Sequence, residues 1–254
     1  MIRYALALLA LLPDAAGAAL SERDLAQAVA RPPAGAVLPA KLAFTDGNGR
    51  RVTLGSVAAG RPSVLIFADY TCRHICSPGL ALTAQALGAT GLTPGRDYAL
   101  TVIGIDPRDT AADARHLLAG AAPAAIARTA TLLTGDAATV AAATRALGYG
   151  FVHDPANDQF AHDAMLYVFA ADGRMTALLP EMGLRAPALR AALAAPAPAA
   201  TEGFADRVAH LCYGFATAHG RFDRPVAWAL RTVTALLVAG LVLLLWRRRA
   251  GGRT

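Results

Sequence analysis

At 254 residues, with 55% hydrophobic and 17% charged side chains, the chain can build one globular domain with a sizeable core plus targeting and anchoring segments, and its composition excludes a disordered polypeptide. The net charge of +6 would suit a nucleic-acid or anionic-membrane binder, but six of the 24 basic residues (Arg3, Arg231, Arg247, Arg248, Arg249 and Arg253) lie in or beside two terminal hydrophobic segments. The other 18 are nearly balanced by the 17 acidic residues that follow Asp14, and a near-neutral centre without a basic patch or an interleaved aromatic platform excludes direct nucleic-acid binding.

Residues 1–18 read as a secretory signal: Arg3 supplies a short positive region, residues 4–12 an apolar stretch too short to span a bilayer, and Ala16-Gly17-Ala18 a small-x-small cleavage site. Residues 19–42 form an N-terminal arm, helical by composition from Ser21 to Ala30 and then broken by Pro32, Pro33, Gly35 and Pro39. The domain proper is expected over residues 43–195. It opens with a hairpin around Asp46-Gly47-Asn48-Gly49. Residues 63–67 are a β-rich apolar run leading into a cysteine-bearing turn, and residues 77–87 then read as a helix with Pro78 in its first turn. A second buried strand is expected over 98–105, ending at Asp106-Pro107, with Asp109 or Thr110 capping a helix through Leu118. A third strand at 131–133 precedes a helix over 137–147 that Gly148 closes. Residues 151–160 read as an irregular polar stretch, residues 164–169 and 174–179 as a hairpin across Asp172-Gly173, and residues 186–193 as a last helix. Strands alternating with helices and ending in a hairpin and a helix predict an α/β three-layer domain with a central mixed sheet, for which a thioredoxin-like arrangement is the simplest candidate.

Residues 196–225 are a Pro/Ala linker and a juxtamembrane stretch. Residues 226–246 match the ~20 residues that a membrane-crossing helix needs, with Trp228 and Trp246 at the two interfacial levels and Arg231 close enough to one end to reach the headgroups. Arg247-Arg248-Arg249 open a basic tail over 247–254, and the positive-inside rule assigns that end to the cytoplasm. The domain is therefore expected outside the cytoplasm, in a bacterium on the periplasmic side of the inner membrane.

Cys72 and Cys76 stand at i and i+4 between a strand and a helix. That spacing stacks both sulfurs on one face if the helix begins at the first of them, and a helix N-terminus stabilises thiolates. Two thiolates at a strand end can chelate a soft metal or close into a disulfide, and spacing alone does not choose. A Cu(I) site built on two sulfurs is short of one ligand, which a distant histidine would supply as a trigonal set. Of six histidines, His162 lies just ahead of the strand that opens the last hairpin, where an imidazole can project from the end of the sheet toward the cysteine loop. His74 lies between the cysteines and on a helix would point away from their face. His116 falls within a helix, and His153 reads as a polar loop residue or a supporting partner. Cys212, with His210 and His219, is a juxtamembrane cysteine for which a packed or lipid-facing role competes with an accessory metal site or intermolecular pairing.

Four segments, taken in order, resemble the Sco (SenC) copper chaperones of cytochrome oxidase assembly: VLIFADYTCRHICSP from Val64, VIGIDPRDT from Val102, LLTGDAATVAAATRALG from Leu132, and FAHDAMLYVFAADG from Phe160. The similarity covers about residues 43–193. It implies a thioredoxin-like fold in which Cys72, Cys76 and His162 bind copper, as Cu(I) or Cu(II), for delivery to the binuclear copper site of cytochrome c oxidase subunit II. Two positions depart from the family pattern. Ser77 separates the second cysteine from Pro78, and Ala161 precedes the histidine where aspartate is usual, with Asp163 following, so the resemblance does not identify what supports the imidazole. Family members are more often anchored at the N-terminus, which makes a cleaved signal with a C-terminal anchor a variant arrangement.

Two rival functions use the same sulfurs. A thiol-disulfide oxidoreductase would use Cys72 and Cys76 as a redox-active pair and would not need His162. A peroxidase fits less well, because the cysteine loop lacks Thr-x-x-Cys surroundings. A copper or redox sensor would act through a membrane partner.

Overall fold

The computed structural model describes residues 20–72, 76–195, 232–234 and 236, with Cys76 described by its backbone. The chain divides into two units, Asp24–Asp206 and a second formed by Met1–Arg23 with Arg207–Thr254. In the second unit residues 232–234 and 236 are helical and exposed. The predicted signal, residues 1–18, lies outside the described residues, as does most of the predicted membrane segment, residues 226–246. Among the described residues no helix is long and apolar enough to cross a membrane.

A short helix, α1 (Glu22–Gln27), precedes the sheet domain, so the arm's helix ends before Ala30, which instead bridges to Tyr149. The elements then run β1 (Ala43–Asp46), β2 (Arg51–Thr53), α2 (Leu54–Ala58), β3 (Ser63–Ala68), α3 (Cys76–Ala89), β4 (Ala99–Gly104), α4 (Ala111–Ala121), α5 (Ala124–Ala127) and β5 (Thr131–Thr134). They continue with α6 (Ala137–Ala146), β6 (Phe151–Asp154), β7 (Gln159–His162), β8 (Met165–Phe169), β9 (Met175–Pro180) and α7 (Ala186–Ala194).

Seven strands make one mixed sheet in the order β2-β1-β5-β4-β3-β8-β9. The central strands β3, β4 and β5 are parallel, β8 runs antiparallel to β3, and β1 runs antiparallel to β5. Side-chain alternation along β3 divides the core into two layers. Val64, Ile66 and Ala68 pack with Leu80, Ala84 and Leu87 of α3, with α4, and with Leu189 of α7. Leu65 and Phe67 face Leu54 of α2 and Val140 and Ala143 of α6 on the other side. Helices cover both faces of a sheet whose βαβ unit is followed by an antiparallel hairpin and a helix, which is the expected thioredoxin-like three-layer arrangement.

The hairpins at 46–49 and 172–173 form where the sequence predicts them, in the registers Thr45↔Arg51 and Phe169↔Met175. Of the two candidate caps for α4, Thr110 takes the role, in a capping box with Asp113, while Asp109 turns inward. One local expectation changes. The stretch 151–160 is not irregular: β6 and β7 form a separate two-stranded hairpin with Phe151 opposite His162 and His153 opposite Phe160. The Pro-Ala-Asn-Asp run that obscures this pattern is confined to its turn, where Asp158 has φ 48°.

Candidate metal centre

The cysteine loop hangs between the end of β3 and the start of α3. Asp69, the first residue past β3, is buried; its Oδ1 accepts the N–H and hydroxyl of Thr71 at 3.0 Å each, and its carbonyl accepts the Cys72 N–H at 3.2 Å. Tyr70 turns into the core, with its hydroxyl 2.8 Å from the Val102 carbonyl and 2.9 Å from that of Leu133, and burial pushes the phenol's pKa far up. The stem is thus bonded to the neighbouring parallel strands, and Cys72 rests half-buried against the core beside it. Cys76 is the first residue of α3, so the helix starts at the second cysteine and the pair does not share a helical face. A thiol at that position benefits from the partial positive charge of the helix N-terminus. The Cys76 side chain and residues 73–75, His74 among them, lie outside the described residues.

His162 is the last residue of β7 and is half-buried. It lines a small cavity with Ile66, Phe67 and Ala68 of β3, Leu80 of α3, Ala164 and Glu181. Ala68 and Leu80 belong to the two stems of the cysteine loop, so the imidazole stands at the sheet end that bears the loop. Its Nδ1 lies 2.6 Å from the Tyr149 hydroxyl and 3.1 Å from the Asp163 carbonyl, and the Tyr149 hydroxyl donates to that carbonyl at 3.1 Å. The Asp163 carboxylate supports the arm: its Oδ2 accepts the Ala30 N–H at 2.8 Å. Tyr149, whose hydroxyl meets the imidazole, is buried and stacked on Phe67 with ring centroids 4.5 Å apart. In the sequence it follows a helix-closing glycine, and nothing in its spacing relates it to His162.

Glu181 carries no sequence signal either, since Pro180-Glu181-Met182-Gly183 reads as an exposed turn. It is 4% exposed, and burial pushes its carboxyl up to about 8. It lies hard against the first turn of α3: a Cβ on Gly79 would fall 2.1 Å from its Oε2. Asp109, also buried, accepts the Tyr70 N–H at 3.0 Å. Burial raises it to about 7 against the lowering effect of that bond, with Asp69, Asp106 and Asp113 adding repulsion. Two carboxyl groups beside the loop thus hold their protons well above the usual range.

Of the other histidines, His116 is exposed on α4, and His153 is exposed on β6, where its Nε2 lies 3.1 Å from Asp158 Oδ1. Asp158 also pairs with Arg108 at 2.9 Å, joining the β6–β7 turn to the loop after β4. Cys212, His210 and His219 lie outside the described residues. Among the described residues no three His, Cys, Asp or Glu side chains gather as a metal site, and the Cys76 side chain is not among those residues. Thiolate and imidazole donors suit a soft or borderline transition metal.

Comparison with known proteins gives the same assignment. A family model described as SCO1/SenC matches residues 32–195. A putative electron transfer protein from Aquifex aeolicus VF5 superposes with a TM-score of 0.56 at 18% identity, covering 63% of this chain and 92% of its own. Arabidopsis thaliana ScoI with copper bound gives 0.51 at 18% identity, covering 62% and 94%. BsSco, described as a member of the Sco family of cytochrome c oxidase assembly proteins with a disulfide switch, gives 0.51 at 20% identity, covering 65% and 94%. At these identities the superpositions speak for the fold. No curated protein sequence matches. The family match extends over most of the chain and takes in the cysteine loop, the β6–β7 hairpin and His162, and this protein belongs to the SCO1/SenC family.

Proposed function

We propose that this protein is a membrane-tethered copper carrier of the periplasm, which holds copper through Cys72, Cys76 and His162 and delivers it to the copper site of cytochrome c oxidase subunit II. The observation that carries this reading is the cavity in which His162 meets Ala68 and Leu80, the two mounts of the cysteine loop. Copper bound to the Arabidopsis protein and the oxidase-assembly family of BsSco support the choice of metal and of partner. Copper loading requires two thiolates and a neutral imidazole, so it releases thiol protons to solvent. Delivery proceeds by stepwise exchange, each thiolate of the acceptor replacing one donor of the carrier. A deep, closed site would resist that exchange, whereas Cys72 is half-buried and next to the surface.

The test is copper stoichiometry and coordination of the full chain beside its Cys72→Ser, Cys76→Ser and His162→Ala variants. The expected result is one ion bound by two sulfurs and one nitrogen, with His162→Ala retaining the fold and losing affinity. Unchanged affinity in His162→Ala would remove the histidine from the site.

The start of α3 at Cys76 favours a second role on the same residues, because a helix N-terminus stabilises a thiolate. Its thiolate attacks a partner disulfide, and Cys72 then displaces the partner. The partner gains two thiols and this chain is oxidised to a disulfide. A phenotype that depends on both cysteines and ignores His162 would select this role over copper delivery.

A further inference from the structure

The Tyr149 hydroxyl, the His162 Nδ1 and the Asp163 carbonyl oxygen form a closed triangle with sides of 2.6, 3.1 and 3.1 Å. Three polar atoms at such distances need protons between them, and only two arrangements supply any. If Nδ1 lacks a proton, the phenol has one hydrogen for two acceptors. The lone pairs of Nδ1 and of the carbonyl then face each other at 3.1 Å with nothing between. If Nδ1 carries the proton, that proton serves the phenol oxygen and the carbonyl, the phenol's own proton serves the carbonyl, and every contact is attractive. The second arrangement leaves the lone pair of the neutral ring on Nε2.

From this triangle we infer that Tyr149 is a positioning residue for His162, holding the ring in its Nδ1–H form so that Nε2 is the donor atom offered to the metal. The inference rests on the reading of His162 as a copper ligand. Histidines that bind metals are ordinarily oriented in this way by a carboxylate, a carbonyl or a water on the second ring nitrogen. Here the carboxylate nearest in sequence, Asp163, accepts the Ala30 N–H, and it is a phenol three residues past the end of α6 that meets Nδ1.

The phenol is placed by three independent features. Its ring stacks on Phe67, one residue from the end of β3, at an interplanar angle of 29°. Ala30 of the arm forms a β-bridge with Tyr149 itself, and the Arg31 N–H donates to the Gly148 carbonyl at 2.7 Å. Gly148, at φ +61°, leaves no room for a side chain, since a Cβ there would lie 2.0 Å from the Arg31 carbonyl oxygen. The arm thereby fixes the backbone of Tyr149 from one side while Phe67 fixes its ring from the other.

The test is Tyr149→Phe in the full chain, which keeps the ring against Phe67 and removes only the hydroxyl. Histidine-selective 15N labelling of the metal-free protein, at a pH where the ring is neutral, reads the tautomer of His162, with His162→Ala assigning its signals. The expected result is an Nδ1–H ring in the parent chain and a substantial Nε2–H population in Tyr149→Phe, accompanied by a copper affinity about 10–100-fold weaker. An Nε2–H ring in the parent chain overturns the inference, as does a tautomer unchanged by Tyr149→Phe. If His162→Ala binds copper as tightly as the parent chain, the histidine is not a ligand and Nε2 has no metal to serve, whereas the tautomer readings still decide what Tyr149 does to the ring.

Discussion

Glu181 is the residue whose surroundings are least suited to its chemistry: a carboxyl that is 4% exposed, in a cavity with His162 and against the backbone of Gly79. Burial holds its proton up to about 8, while the unfolded chain releases that proton near the ordinary value of 4.5. Between those two pH values the folded protein binds more protons than the unfolded one. Stability therefore falls as pH rises through that window, by up to about 1.4 kcal/mol per pH unit for one group. Asp109 acts in the same direction between 3.8 and about 7. Glu181→Gln should flatten the upper part of this slope, which denaturant midpoints of the metal-free protein at pH 5 to 8 would register; an unchanged slope would show that the carboxyl is not held neutral. At this scale the sequence was partly legible. Cys72, Cys76 and His162 are singled out as candidates by residue type, by their order along the chain and by the family resemblance. Tyr149, Glu181 and the inward turn of Asp109 act through contacts between segments distant in sequence, and no local pattern encodes such contacts.

Among the elements, the arm and the β6–β7 hairpin matter most for the candidate site, and both are only partly legible in the sequence. Hydrophobic periodicity finds strands that bury a whole face, such as β3 and β4, every residue of which is buried. It is silent on β6 and β7, where no residue is fully buried and the pairing of Phe151 with Phe160 supplies the apolar contact. The arm likewise looks like a proline-broken leader, yet it packs against residues 148–150 so closely that a Cβ on Gly150 would lie 1.8 Å from the Gln27 carbonyl oxygen. Backbone cannot yield as a side-chain tip can. Gly150→Ala should therefore undock the arm, costing about 1–3 kcal/mol and exposing residues 24–31 to amide exchange and proteolysis. Retained protection of the arm in that variant would show that the close approach is not needed for docking.

For the molecule as a whole, the family match and the sheet domain coincide over residues 32–195, and the two terminal hydrophobic segments flank them. The proposed tether predicts that the protein fractionates with membranes and that ending the chain after Ala195 releases the domain in soluble form. A domain that stays in the membrane fraction without residues 196–254 would be held there by something other than the C-terminal segment. A periplasmic reporter fused ahead of residue 226 should be active and one fused after residue 246 inactive; the opposite pattern would invert the proposed topology.

The strand order has a consequence for when the proposed donors can meet. β8, which follows His162 by three residues, takes its place between β3 and β9, so His162 comes to the sheet end that bears the cysteine loop only once β8 has paired with β3. Under the proposed copper role, a nascent polypeptide that has emerged only as far as the cysteines offers sulfur but not the ring. Capture through all three proposed donors would then wait until the sheet is complete, and a truncated or misfolded copy would not compete for the ion on equal terms.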